Sequence, residues 1–325
     1  MTTRTRIWIA IAGVLALAVT AAVYIGLTGS RGQAATATGV VTLDSGRLVF
    51  RSTADGEAGR VATVATSDPG GARSVSALSC ARVYAASGTG ICLRAEGGLS
   101  TYQLVVLDKQ LSVTKEIPLV GLPNRARVSA DGKRFGWTVF VTGDSYNGGR
   151  FSTRAGIMDI TTDLLEGTLE DFTVTVDGKP YQAADLNFWG VTFTSQQNRF
   201  YATMSTGAHR YLVEGDLATR TIRTLRDNVE CPSLSPDEKR VAYKSAIDGD
   251  PAKGWRVSVL DLATGTITPL AETRSVDDQP AWLDAATIGY AIPRGGGHSD
   301  VWAVPSDGTG APLLLIPEAE SPSAL

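Results

Sequence analysis

Chemistry has little to work with in this chain. His209 and His298 are its only imidazoles, so a histidine metal centre would have to recruit both from distant segments. Each reads more simply as a surface or loop histidine, and no metal site is assigned. No Gly-x-Ser-x-Gly elbow occurs, and Gly297-His298-Ser299-Asp300 lacks its spacing. There is no P-loop and no dinucleotide fingerprint. Asp248-Gly249-Asp250 suggests calcium, yet the remaining acidic ligands of an EF-type loop are missing and a solvated turn accounts for it. The sequence therefore assigns no catalytic residue and no cofactor. It points to binding.

The residues that could bind are polar and aromatic: Arg125 and Arg127; Asp144 and Tyr146 within Gly143–Arg150; Asn187, Phe188 and Trp189; Glu230; and Asp277, Asp278 and Gln279. Arginine and aromatic side chains with a polar rim are what protein-binding surfaces favour. They lie far apart in sequence, so the elements that carry them must converge. For Trp189, Trp282 and Trp302 the alternative is plain packing, and for Arg125 and Arg127 it is pairing with Asp277 or Asp278 inside the fold.

With 43% hydrophobic and 19% charged residues among 325, the composition is that of a globular protein with a core. The net charge is −3, while the first 37 residues carry Arg4, Arg6 and Arg31 and no acid. The body is therefore mildly acidic, without a Lys/Arg run, and nucleic acid is excluded as a partner. Residues 7–28 hold an apolar stretch, Ile7 to Leu27, long enough to span a bilayer as a helix and longer than a signal-peptide core. Two arginines and the α-amino group precede it and Arg31 alone follows. This predicts residues 1–6 in the cytoplasm, a membrane anchor over 7–28, a linker over 29–38 and a body outside over 39–325. Cleavage after Ala35-Thr36-Ala37 would instead release the body. The absence of a cysteine before Cys80 excludes a lipoprotein anchor. Outside the cytosol Cys80 and Cys92 are a disulfide candidate. The alternative is that they and Cys231 are small buried hydrophobes.

Beyond the linker, β-branched and aromatic runs alternate with Gly, Asp, Asn and Pro turns, the pattern of an all-β chain. The runs repeat. Val128 to Trp137 (VSADGKRFGW) and Leu234 to Tyr243 (LSPDEKRVAY) share strand, Ser-x-Asp-x-Lys turn and strand. Looser copies stand at Phe193 to Tyr201, Trp282 to Tyr290, Val41 to Phe50 and Val83 to Leu93, each followed by a second hairpin such as Val257 to Leu270. Four strands per copy and six copies over the body give about 48 residues each, the size of a propeller blade. A blade apolar on both faces buries neither alone, so blades must stack around an axis. The expected fold is an all-β, six-bladed β-propeller preceded by a single N-terminal transmembrane helix. Blade 3 has extra residues between Asp163 and Asp185, read as a lengthened outer hairpin. Either Glu320–Leu325, which echoes Glu230–Ser235, or Val40–Leu43 could close the ring. The binding residues fall on one face, formed by the connections into innermost strands and between second and third strands.

Pro232 to Tyr243 (PSLSPDEKRVAY) resembles the TolB-type, WD-like propeller repeat, Pro-x-x-Ser-Pro-Asp-Gly-x-x-Ile-Ala-Phe, with Glu238 in place of the turn glycine; Ser129 to Gly132 matches with Ala130 for proline. More narrowly, Asn124–Ser129, Thr138–Tyr146, Phe151–Arg154, Asn187–Val191 and Val276–Gln279 resemble runs in membrane-anchored TolB-like proteins of actinobacteria. The resemblance covers the whole body and implies the fold more strongly than the function, because propellers host many activities. The α/β domain that TolB carries before its propeller has no counterpart here, so TolB's envelope role does not transfer directly. Three readings follow: a monomeric, non-catalytic scaffold outside the cytoplasm that contacts an envelope or cell-surface protein or peptide through one loop face; a small-molecule or metal-dependent propeller enzyme, lactonase- or quinoprotein-like, with its site in the central funnel; or a structural domain without a ligand. The first fits the residues best.

Overall fold

The computed structural model describes residues 36–37, 40–96, 101–141, 152–162 and 164–325. The strands form six sheets in chain order. Blade 1 holds β2 (Arg47–Ser52), β3 (Arg60–Ala65) and β4 (Arg73–Ser79), with β1 (Thr36–Ala37) parallel on the outer edge of β4. Blade 2 is β5 (Arg82–Ala86), β6 (Thr89–Glu96), β7 (Thr101–Leu107) and β8 (Val113–Leu119). Blade 3 is β9 (Leu122–Val128), β10 (Arg134–Val141), β11 (Ser152–Asp159) and β12 (Leu164–Thr168). After β13 (Thr173–Val176) and β14 (Lys179–Tyr181), blade 4 is β15 (Asn187–Phe193), β16 (Arg199–Thr206), β17 (His209–Asp216) and β18 (Thr221–Asp227). Blade 5 is β19 (Glu230–Leu234), β20 (Arg240–Ala246), β21 (Trp255–Asp261) and β22 (Ile267–Pro269). Blade 6 is β23 (Ala281–Trp282), β24 (Thr287–Gly295), β25 (His298–Pro305) and β26 (Leu313–Ile316). The last strand, β27 (Ala319–Ala324), pairs antiparallel with β2 and is the innermost strand of blade 1. The ring is thus closed by the C-terminal segment. Val40–Leu43 forms no strand; Val41 and Leu43 are buried, and the Leu43 amide donates to the Lys109 carbonyl of blade 2.

The core is divided among the seams. Each pair of adjacent blades encloses its own apolar cluster: Leu43, Val49 and Val105 between blades 1 and 2; Phe135 and Trp137 between 2 and 3; Phe188, Phe200 and Met204 between 3 and 4; Tyr201 and Tyr243 between 4 and 5; Trp282 and Tyr290 between 5 and 6; Leu48 and Phe50 between 6 and 1. Burying one such large side chain contributes roughly 1.5–3 kcal/mol, so no blade is stable apart from its neighbours. Cys80 and Cys92 are joined in a disulfide in the seam of blades 1 and 2, while Cys231 is free and buried.

The extra segment before Asp185 departs from the expectation. Instead of lengthening blade 3, it crosses to blade 4. A 3-10 turn, Leu169–Asp171, buries Leu169, and Phe172 follows it into the seam of blades 3 and 4. β13 then pairs parallel with β18, and β14 turns back outside it, giving blade 4 six strands. The two apolar side chains find their burial in the seam, which carries the chain past the edge of its own blade. Residues 1–35, including the proposed span over 7–28, lie outside the described residues. Among the described residues no helix is long and apolar enough to cross a membrane.

Candidate functional site

Register fixes which side chains share a level around the axis. Val128 faces Phe135, Phe193 faces Phe200, Leu234 faces Val241, Trp282 faces Ile288 and Ala324 faces Leu48 as each first hairpin begins. Four residues earlier stand Asn124, Trp189, Glu230, Asp278 and Glu320, near the end of the channel where the chain enters each innermost strand. The next level holds Arg125, Gly190, Cys231, Gln279 and Ser321. There Gly190, Cys231 and Ser321 have φ of 65°, 50° and 54°, and the ladders shift register across Trp189/Thr192, Glu230/Ser233 and Val49/Arg51. These bulges sit at the same place in blades 4, 5 and 1, and re-aim side chains at the axis.

At this upper mouth the chain assembles a charged ring. Arg51 and Arg82 both reach Glu320, at 3.0 and 3.2 Å. Arg125, buried, donates from Nε to the Cys231 sulfur at 3.5 Å, from blade 3 to blade 5. Glu230 pairs with Arg210 at 2.7 Å and with Lys244 at 3.6 Å, and Lys244 also donates to Asp277. Arg210 and Lys244 lie over the Trp255 ring. Burial pushes Glu230 up to about 7 even against these two cations. Burial also works against the Lys244 charge, but the Cys231 sulfur, Glu230 and Asp277 outweigh it and hold the ammonium above its usual range. Asp277, its side chain 70% exposed, is held below the usual carboxylate range by Lys244 and Arg125, against desolvation.

Below this ring the channel is plugged. Arg127 donates to the Pro280 carbonyl on the opposite blade, and Gln279 Nε2 to the Pro232 and Val191 carbonyls. Beyond the plug a cavity of about 390 Å³ opens at the lower end, where the first hairpins turn.

The residues singled out in the sequence fare unevenly. Arg125, Arg127, Glu230, Asp277, Asp278 and Gln279 converge on the channel, from innermost strands or the segments just before them. Phe188 does not. It is fully enclosed in the seam of blades 3 and 4 and presents no surface to a partner, because in β15 it points away from the axis. Asn187 is buried in a structural role: its Oδ1 accepts from the Thr153 amide at 2.7 Å and its Nδ2 donates to the Asp185 carbonyl. Trp189 is buried at 8% exposure, and the Trp282 indole donates to the Ser233 carbonyl. Asp144 and Tyr146 lie outside the described residues. Arg51, Arg82, Arg210, Lys244 and Glu320 were missed. The echo between Glu230-Cys-Pro-Ser and Glu320-Ser-Pro-Ser was the signal that could have found Glu320; the four cations carry no local pattern. Among the described residues no group of three or more His, Cys, Asp or Glu is arranged to hold a metal ion.

No family model matches the sequence, and no curated protein matches it. Solved structures do. TolB from Acinetobacter baumannii superposes with a TM-score of 0.58 at 18% identity, over 93% of this chain and 69% of that one. A chain from a nidogen/laminin complex gives a TM-score of 0.54 at 10% identity, over 86% of this chain and 98% of that one. At such identities the likeness speaks for the fold, a TolB-like six-bladed propeller.

Proposed function

We propose that this TolB-like propeller is a non-catalytic scaffold that binds an envelope or cell-surface protein or peptide through its upper mouth. The observation that carries the reading is the charged ring, in which side chains from every blade meet at one end of a rigid channel. Its bases are recessed: Arg125 and Lys244 are buried, while Asp277 stands exposed at the rim. Functional groups concentrate where a rigid scaffold holds them, and such a mouth presents acids to a partner's basic side chains while its recessed cations await a carboxylate. In this reading Asp144, Tyr146, Asp277 and Asp278 meet the partner, and Arg125, Arg127, Asn187, Trp189, Glu230 and Gln279 hold the mouth in shape. The span over 7–28 anchors the propeller on the outer side of the membrane, or releases it if cleaved.

The test is capture of partners from solubilised membranes with the full chain as bait. Tyr146→Ala, Asp277→Asn and Asp278→Asn combined, which keep an acceptor for Lys244 and for the Ala291 amide, should abolish a specific band while leaving the fold, read by circular dichroism, in place. A partner that binds the triple variant as well as the parent would overturn the assignment to this face.

A further inference from the structure

We propose that the cavity at the lower end of the channel binds a small organic monocarboxylate, anchored by Arg127. This site lies beyond the plug, on the face opposite the upper mouth.

The level two residues beyond Arg125 and its counterparts along each innermost strand holds Arg127, Thr192, Ser233, Ala281 and Ser323 in blades 3, 4, 5, 6 and 1. Arg127 is the one charge among them. It is 5% exposed and lines the cavity. Its guanidinium lies 4.4 Å over the Tyr84 ring and donates to the Pro280 carbonyl at 3.2 Å, and its buried Nε has no partner. The other channel cations sit among carboxylates: Arg51 and Arg82 with Glu320, Lys244 with Glu230 and Asp277, Arg125 beside Asp278. Among the described residues no carboxylate pairs with Arg127. A buried charge is costly unless paired, and the planar fork of a guanidinium matches a carboxylate.

The remaining walls narrow the class. Tyr84, Phe193 and Trp282 line the cavity with aromatic surface. The Trp282 N–H is already donated to the Ser233 carbonyl, so that ring offers its apolar body. Arg134, also in the lining, is spent: it donates to the Thr194, Gln196 and Gln197 carbonyls and lies over Phe193. Asp131 and Glu238 stand at the rim. Their charges oppose a polyanion, whereas one carboxylate on an apolar body reaches Arg127 without a second charge left near them. About 390 Å³ falls within the range of small-molecule sites, roughly 300–1,000 Å³.

Benzoate and its neutral analogue benzamide are the probes, titrated into the full chain and read by saturation-transfer NMR and calorimetry. Benzoate should bind saturably and at least tenfold more tightly than benzamide. Arg127→Gln should bring benzoate down to the benzamide level. Because Arg127 also ties blade 3 to blade 6, a second variant is needed: Ala130→Trp, at an exposed rim position, should weaken benzoate at least tenfold with the unfolding midpoint unchanged. Absence of benzoate binding, equal binding of the two probes, or benzoate binding indifferent to both variants would each overturn the proposal.

Discussion

At the scale of single residues, the repeat is written in turn geometry. Gly88 and Gly132 turn the first hairpins of blades 2 and 3 with φ of 74° and 73°, Gly46 takes the same left-handed conformation at 77° just before β2, and so does Glu238 at 58° in blade 5. Glycine adopts it freely, while an L-residue carries a cost of about 1–2 kcal/mol. Glu238 offsets that cost by accepting the Ser195 amide of blade 4 at 2.5 Å. At Gly132 a Cβ would meet Thr89 Oγ1 at 3.0 Å and the Ala86 carbonyl at 3.3 Å in blade 2. Gly132→Ala should therefore lower stability by about 1–2 kcal/mol, measured as a shift of the urea midpoint at constant slope. The arginine of the same motif is a staple between blades: Arg134 reaches the first turn of blade 4 over Phe193, and Arg240 reaches Ala285 and Ser306 of blade 6 over Trp282. The aspartates after the third strands act alike, with Asp108, Asp159, Asp216 and Asp261 each accepting amides two to four residues on. The turns and the aspartates are local and legible in the sequence; the reach of Glu238, Arg134 and Arg240 into neighbouring blades is not.

Glu170 is a residue whose meaning was not. Both its carboxylate oxygens are buried in the 3-10 turn beside Ala155 and Phe188. Burial pushes it up to about 8, against backbone amides and the Arg154 charge, so the folded state prefers the neutral acid. Since the pKa is raised on folding, the stabilisation is complete below about pH 4 and is lost as pH rises through about 8. Glu230 adds a slope of the same sign that ends near its own value of about 7. Between pH 5 and 8 the parent should therefore lose stability that Glu170→Gln keeps, a difference on the order of 1–3 kcal/mol, read from denaturant midpoints at stepped pH. Equal slopes in parent and variant would refute it.

At the scale of elements, two strands decide the architecture from outside their own blades. β27 completes blade 1 from the far end of the chain: Ser323 Oγ accepts the Ala85 amide of blade 2, and Glu320 ties Arg51 to Arg82. The Leu325 amide donates to the Arg47 carbonyl, and the Gly46 amide donates back to Leu325. A chain truncated after Pro317 should lose this strand, its pairing with β2 and its ties to blade 2, and fail to give a cooperative thermal transition by circular dichroism. A truncated chain that melts like the parent would mean β27 is dispensable. The other strand is β13. Its alternating pattern is plain in Thr173–Val176, but a strand's sequence does not name the sheet it joins. The parallel pairing with β18 follows from where Leu169 and Phe172 bury, a contact between blades.

At the scale of the whole molecule, closure converts six weak sheets into one unit, because every seam has an apolar cluster and none is left open. The same closure gives the channel two unlike ends. Above the plug, cations and carboxylates alternate. Below it, hydroxyls and aromatic rings surround Arg127, which pairs with no carboxylate among the described residues, while Arg134 is bound to backbone carbonyls and Asp131 and Glu238 stand at the rim. The two proposed ligands, a protein at the upper mouth and a monocarboxylate at the lower, differ accordingly, and a variant at Asp277 should leave benzoate binding unchanged.

By itself the sequence determined what depends on neighbours along the chain: strand periodicity, turns that need glycine or aspartate, the sixfold count, and so a ring of antiparallel sheets. The tertiary structure alone decided what depends on position across the axis. Arg125 meets Cys231 from two blades away, Gln279 bonds carbonyls of two other blades, Phe188 faces a seam while Arg127 faces the channel, and β27 rather than Val40–Leu43 closes the ring. The reason is physical. In a sheet buried on both faces, alternate residues are equally apolar whichever way they point, so the pattern identifies a strand without saying which of its sides meets the axis. A bulge that reverses that choice, as at Gly190, Cys231 and Ser321, exists only once the neighbouring strand is in place.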